Sequence, residues 1–331
     1  MSVTDWARSL AKRHRRPRRD PPQPPFPDLQ PTVEWQVNGF CNYDCTYCIQ
    51  SAKSRVGVPT DSTVRSIVTE FAKLPGVWEI KMSGGEPFAF KGFVNSVIPQ
   101  LTERTRHLIS VLTNFSAPID VLEKFCQLTA DRLRITSASL HPDSTSAEDF
   151  IEKAIAYREL RQRYNPASSF VVNVVLVPGY VANHVKYRDQ IEAAGLRYFP
   201  QLMKIKGGVY PYPPTEMALI EQLTHGSHDP SKVNRSPNYQ GLHCEAGVWY
   251  FTVDQTGEAF SCRTGKRFLA ENDQARLGNL TQGTFQLRKQ GGPCPYTICP
   301  CTVPVNRGIV RLPNQERQQL ILRKASENNE H

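Results

Sequence analysis

Three cysteines fall within eight residues, Cys41-Asn42-Tyr43-Asp44-Cys45-Thr46-Tyr47-Cys48. The C-x3-C-x2-C spacing is too tight for one regular strand or helix and suits a loop folded around a single object. Soft thiolates select zinc, copper(I) or iron–sulfur clusters. A structural zinc closes with four ligands, and this loop offers three thiols and no His. Three thiolates on a four-iron cube leave one iron without a protein ligand, and an open coordination position is where chemistry rather than electron storage occurs. Spacing alone favours iron–sulfur, with zinc as the alternative.

The chain has nine cysteines, at 41, 45, 48, 126, 244, 262, 294, 299 and 301. An odd, clustered set makes a poor disulfide framework. No secretory leader precedes it: the start is polar and basic, and neither Arg15-Arg16 nor Arg18-Arg19 is followed by the apolar stretch of an export signal. The expected compartment is a reducing cytoplasm, where clustered cysteines more often bind metal than form disulfides.

A second motif, Ser83-Gly84-Gly85-Glu86-Pro87, begins 35 residues after Cys48 and directly follows the strand-like run Val77–Met82. Two glycines at a strand's end let backbone approach a small ligand closely; alone, they also make an ordinary strand-to-helix turn. Together, the cysteine loop with an aromatic before its third Cys and the Gly-Gly-Glu-Pro loop resemble the radical S-adenosylmethionine (SAM) superfamily, over roughly residues 33–203. The resemblance implies a [4Fe–4S] cluster on Cys41, Cys45 and Cys48, its open iron chelated by the amino and carboxylate groups of SAM. One electron would split SAM into methionine and a 5′-deoxyadenosyl radical, which takes a hydrogen atom from an unactivated substrate carbon. Cofactors carry that chemistry while the protein positions them. The resemblance also puts Tyr47 near the adenine, puts Gly84–Pro87 near the methionine amino group with Ser83 in the same cofactor-binding loop, and implies a low-potential electron donor of flavodoxin or ferredoxin type.

These loops need a scaffold, and strand-like and helix-like segments alternate to supply it. Val33–Val37 precedes the cysteine loop, and Ser62–Lys73 reads helical. Val77–Met82 is followed by helical Val94–Arg104, His107–Thr113 by Ile119–Leu128, Leu133–Leu140 by Ala147–Arg163, and Phe170–Val177 by His184–Ala194, before a last strand Leu196–Met203. Six β/α repeats predict an α/β fold with a parallel sheet and a site at the strands' C-terminal ends. The resemblance says the same, a partial (β/α)6 TIM-like barrel. Thr113-Asn114 closes the third strand, Ser139 lies near the end of the fourth and Asn173 within the fifth. By analogy, Asn114, Ser139 and Asn173 contact ribose or the methionine carboxylate; each equally caps a helix or satisfies a strand end. His141 falls at a strand's end facing the expected cavity, as a candidate catalytic residue or as a loop hydrogen bond before Pro142. Cys126 aligns with Leu122 and Phe125 on the apolar side of a helix and reads as buried and inert.

Five cysteines remain. Cys244 and Cys262 flank Val248–Val253, the turn Asp254–Gly257 and Glu258–Ser261, which read as a β-hairpin. A hairpin brings its ends together, and the Pro-rich loop carrying Cys294, Cys299 and Cys301 can return to the same place, where four thiolates close a cluster. The pattern Cys244-x12-Gly257-x4-Cys262, followed by Leu277-Gly278-Asn279-Leu280, is similar to the auxiliary-cluster extension called SPASM or its shorter form, Twitch. Five cysteines imply one auxiliary [4Fe–4S] cluster. The Cys294-x4-Cys299-x-Cys301 spacing departs from the usual C-x2-C and leaves open which two of the three are ligands. The surplus thiol, with Cys299 and Cys301 as the candidates, is structural or donates a hydrogen atom to a substrate radical. A zinc ribbon is the alternative for this region.

The reading divides the chain into a basic, Pro-rich arm (1–30), the radical SAM core (31–205), a linker (206–243), a small auxiliary-cluster domain (244–305) and a partly helical C-terminal segment (306–331). Residues 1–20 carry a net +5 of the chain's +9. Such an arm contacts nucleic acid, acidic lipid or an acidic leader peptide, or is simply solvated. The body has no Lys/Arg/aromatic stripe, which argues against an enzyme built around a large nucleic acid. No long apolar run suggests a membrane span. The expected function is a radical SAM oxidoreductase or isomerase that epimerises, crosslinks or forms a thioether in a ribosomally made peptide. One alternative is oxidation or rearrangement of a small metabolite such as an aminocyclitol, sugar or nucleotide. Another is a non-catalytic iron–sulfur or zinc scaffold, against which Gly84–Pro87 argues; a tRNA-modifying enzyme rests only on the arm. There is no room before residue 33 for a folded leader-binding domain, which weakens the peptide reading.

Overall fold

The computed structural model describes residues 23–49, 57–270 and 273–313. The basic run up to residue 22 and the C-terminal segment beyond 313 lie outside the described residues.

Period-two alternation sets the faces of the first strand, β1 (Thr32–Gln36). Val33 and Trp35 are fully buried against α1 (Asp61–Phe71), whose Val64, Ile67, Val68 and Phe71 form one apolar stripe. Thr32, Glu34 and Gln36 therefore point to the sheet's other face. The first helix starts where Thr60 caps it, its hydroxyl accepting from Thr63 N–H at 3.2 Å. The chain continues through β2 (Glu79–Ser83), α2 (Ile98–Arg104), β3 (Leu108–Thr113), α3 (Ile119–Thr129), β4 (Leu133–Leu140), α4 (Ala147–Tyr164), β5 (Ser169–Leu176), α5 (Asn183–Ala193) and β6 (Tyr198–Leu202). Strands β1 to β6 are neighbours in that order and all parallel. Six parallel strands with five intervening helices are thus present, and the helix expected to complete a sixth repeat comes only after two further short strands. The second helix differs from the expected Val94–Arg104: it begins as a π-turn over Phe93–Val97 and becomes α-helical at Ile98. Pro99 has no N–H to give to Asn95, so a regular α-turn cannot form there.

Beyond β6 come two short pairing strands, β7 (Lys204–Ile205) and β8 (Gly208–Val209), then α6 (Pro214–Leu223) and β9 (His243–Cys244). The expected hairpin is present as β10 (Tyr250–Val253) and β11 (Glu258–Phe260), turning at Gly257 with φ 88°. It does not form a sheet of its own. Strand β10 runs parallel to β1, with Thr32 opposite Tyr250, and β12 (Arg276–Asn279) follows β11, so one nine-stranded sheet runs β12-β11-β10-β1-β2-β3-β4-β5-β6. Phe251 explains the attachment: its ring packs on Phe71, Trp78 and Phe285, inside the same core as Trp35. The chain ends its described course through α7 (Arg263–Arg267), β13 (Gly292–Pro293) and α8 (Val303–Asn306).

Two glutamates on the face turned away from the helices tie this last third to the barrel. Glu79 of β2 accepts Arg307 Nε at 2.5 Å and Nη2 at 3.0 Å, Arg134 Nη1 at 3.1 Å and Ser110 Oγ at 2.6 Å. Glu34 of β1 accepts Arg263 Nε and the Tyr250 hydroxyl, each at 2.6 Å. A buried carboxylate is tolerated only when paired and hydrogen-bonded in this way.

Candidate functional site

Parallel strands put their C-terminal ends on one rim, and the motif loops leave the sheet there. The loop after β2 runs against the segment that leaves β1: Gly85 N–H donates to Asn38 O at 2.9 Å, and Glu86 N–H to Phe40 O at 2.8 Å. Asn38, fully buried, straps the two together, its Nδ2 donating to Phe40 O at 2.8 Å and Glu86 O at 3.0 Å. No side chain fits at the glycines. A Cβ on Gly84 would overlap Asn38 Oδ1, and one on Gly85 would overlap the Gly39 and Phe40 carbonyls. Gly85→Ala is accordingly expected to cost about 1–3 kcal/mol, read as a lower urea midpoint at unchanged slope.

Glu86 points inward and is fully buried. Its carboxyl accepts the Asn114 N–H at 2.5 Å, the Thr113 hydroxyl at 2.7 Å and the Phe88 N–H at 3.0 Å. Burial pushes its pKa up to about 7, against the pull of those three donors. Pro87 then opens a 3-10 turn, and Ser83, the last residue of β2, accepts from Arg263 Nη2 at 3.4 Å. Asn114, at the end of β3, joins the two motifs. Its backbone holds Glu86 while its Nδ2 donates to Asn42 Oδ1 at 2.9 Å and reaches Cys41 Sγ at 4.0 Å.

The cysteine loop is braced from β4. His141 Nδ1 lies 2.8 Å from the Tyr47 hydroxyl and 3.4 Å from Cys45 Sγ, and the Tyr47 ring stacks on the imidazole at 5.9 Å. Burial lowers the His141 pKa to about 4, leaving the ring neutral at neutral pH. Tyr47, expected near an adenine, is thus engaged with His141. Cys48 is exposed, its N–H donating to Cys45 O at 3.1 Å. Cys126 is buried, and burial pushes its pKa up to about 11, in keeping with an inert core thiol.

Val172 and Val174 pack toward the helices, so Asn173 points the other way. Its Nδ2 donates to Ser137 Oγ, its Oδ1 accepts Gln201 Nε2 at 3.0 Å, and Ser139 stands beside it in register. The sequence reading missed Ser137 and Gln201, along with Asn38, Glu34, Tyr250 and Arg263. A signal existed for Glu34: a carboxylate between Val33 and Trp35 is what period-two alternation places opposite the helix side.

Strand β13 pairs with β9, setting Gly292 opposite Cys244, and Cys294 N–H donates to Leu242 O at 2.8 Å. Cys244, Cys262, Cys294, Cys299 and Cys301 all line one cavity, together with Tyr250 and Arg263. Among the described residues, no three His, Cys, Asp or Glu side chains converge as one metal ion requires. A zinc needs its sulfurs about 2.3 Å from a common centre, whereas the thiolates of a cluster attach to separate irons. Three thiols in the rim loop and five around the cavity are donors of the soft kind that iron–sulfur clusters take. A buried acceptor, Asn38 Oδ1, has no hydrogen-bond partner among the described residues and adjoins Gly84.

Comparison with known proteins agrees with this geometry. Residues 35–186 match the family model described as the Radical SAM superfamily, and the parallel sheet with its helices matches the partial TIM-barrel fold of that superfamily. One similar solved structure is native anSMEcpe with bound AdoMet and Kp18Cys peptide: TM-score 0.53, 17% identity, covering 77% of this chain and 79% of that one. Another is Streptococcus suis SuiB bound to precursor peptide SuiA: TM-score 0.55, 13% identity, covering 78% and 65%. No helix among the described residues is long and apolar enough to cross a membrane.

Proposed function

We propose that this chain is a radical SAM enzyme that modifies a ribosomally made peptide. The observation that carries the reading is the clamp by Asn114, which holds the Glu86 loop through its backbone and the cysteine loop through its side chain. Cys41, Cys45 and Cys48 would hold a [4Fe–4S] cluster, and Asn38 with Gly84–Pro87 would receive the amino-acid end of SAM. When bound, such a cluster supplies the electron that splits SAM and yields a 5′-deoxyadenosyl radical.

The chain's own residues position and exclude. Glu86 fixes the glycine loop from below, His141 and Tyr47 orient the cysteine loop, and Ser137, Ser139, Asn173 and Gln201 offer a polar wall for ribose or substrate. The cavity with the five C-terminal cysteines would hold one auxiliary [4Fe–4S] cluster of SPASM or Twitch type. Support for a peptide comes from anSMEcpe and SuiB, each of which has a peptide bound on a similar fold.

Anaerobic reconstitution followed by dithionite and SAM tests the reading. About eight irons per chain and 5′-deoxyadenosine are expected. Four irons with 5′-deoxyadenosine would remove the auxiliary cluster; full iron without 5′-deoxyadenosine would overturn the enzyme.

A further inference from the structure

Five thiols around one cavity are one more than a closed four-iron cluster takes. We propose that Cys244, Cys262, Cys294 and Cys299 are the four ligands and that Cys301 is a free thiol held toward the inner face of the barrel. The proposal rests on the auxiliary-cluster reading above. Its first observation is where Cys301 points. Its Sγ lies 3.7 Å and 3.9 Å from the two carboxylate oxygens of Glu34, on the face of β1 turned away from the helices. Of the five sulfurs, it is the one hydrogen-bonded to a side-chain carboxylate. That carboxylate is pinned by Arg263 and Tyr250, so it is not free to swing away when a cluster binds.

The second observation is the company each sulfur keeps. Cys294 and Cys299 pack against the small apolar cluster of Tyr239, Val305 and Val310, whereas Cys301 packs against the main core.

Local backbone gives the third observation. The Cys262 sulfur accepts the Gly265 N–H at 3.2 Å, as the start of α7 closes around it. The Cys299 N–H donates to Pro237 O and the Cys294 N–H to Leu242 O, at 2.9 and 2.8 Å, tying both residues to the segment that precedes β9. Residue 301 follows two positions later, where the chain crosses toward Glu34 before Arg307 reaches Glu79.

The experiment is iron and sulfide analysis, with the absorption and low-temperature EPR spectra, of the full chain reconstituted in a background where Cys41, Cys45 and Cys48 are Ala. That background should retain about four irons. Cys301→Ala and Cys301→Ser are expected to keep all four with an unchanged spectrum, while Cys294→Ala and Cys299→Ala each lose most of the iron or acquire an altered spectrum. Circular dichroism checks that each variant is folded; if Cys301→Ala is not, Cys301→Ser decides. Loss of the cluster in folded Cys301→Ser, or full retention in Cys299→Ala, overturns the ligand assignment. Absence of iron in the parent background overturns the auxiliary-cluster reading itself and is distinguishable from either.

Discussion

Replacing Cys41, Cys45 and Cys48 together by Ala is expected to abolish 5′-deoxyadenosine formation while about four irons per chain remain. The two readouts separate because the cysteine sets are separate in the structure. The first three stand on the rim loop that leaves β1, and five of the remaining six line a cavity between the hairpin and the Pro-rich loop, Cys126 being in the core. The fold itself should hardly change. Cys48 is exposed and Cys41 and Cys45 are partly exposed, and truncation at such positions usually alters stability by no more than about 0.5 kcal/mol. The apoprotein's thermal midpoint should therefore match that of the wild type. Loss of all iron in the triple variant would mean that the five downstream thiols do not hold a second cluster. A large drop in thermal midpoint would mean that the loop is structural.

Arg307→Ala is expected to destabilise the protein by about 3 kcal/mol at neutral pH, at the lower end for breaking a buried ion pair. Glu79 is fully buried and takes two hydrogen bonds from Arg307; Arg134 and Ser110 remain in the variant and soften the loss. The same carboxylate predicts a pH dependence. Burial alone would raise its pKa, but Arg307, then Arg134 and Ser110, outweigh burial and hold it down to about 2, below the ordinary 4.5. A carboxyl with a depressed folded pKa binds fewer protons in the fold than in the unfolded chain. Its stabilisation is complete above about pH 4.5 and disappears as the pH falls toward 2. Wild-type stability should thus fall steeply over that window, and Arg307→Ala should flatten the fall. Urea midpoints at pH 7, pH 4 and pH 2.5 measure both effects. A variant as stable as the wild type at pH 7 would show that the C-terminal segment is not anchored through this pair.

Much of the barrel was legible because its strands and helices differ in period. Val33 and Trp35 alternate with Thr32, Glu34 and Gln36, while Val64, Ile67, Val68 and Phe71 recur at helical spacing. Strand β4 lies at its expected bounds, Leu133–Leu140. The helix after β2 departs from its expected form because hydrophobic period does not register a missing N–H, and Pro99 removes one. The hairpin was legible from its Asp-to-Gly turn, but its destination was not. Pairing between β10 and β1 joins residues more than 200 positions apart, and no local signal encodes which sheet edge a strand will meet.

For the candidate site, the division is similar. The sequence by itself determined the chemistry on offer: three thiols in one short loop, two glycines at a strand's end, and five more thiols near the C-terminus. Residue type and close spacing carry that information without any fold. Only the tertiary structure decided which groups meet. Asn114 joins the two motifs across 72 residues, His141 braces Tyr47 and Cys45 across more than 90, and Glu34 singles out Cys301 across 267. Such contacts depend on strand register and on the direction each side chain takes from it, so they exist only once the sheet has assembled.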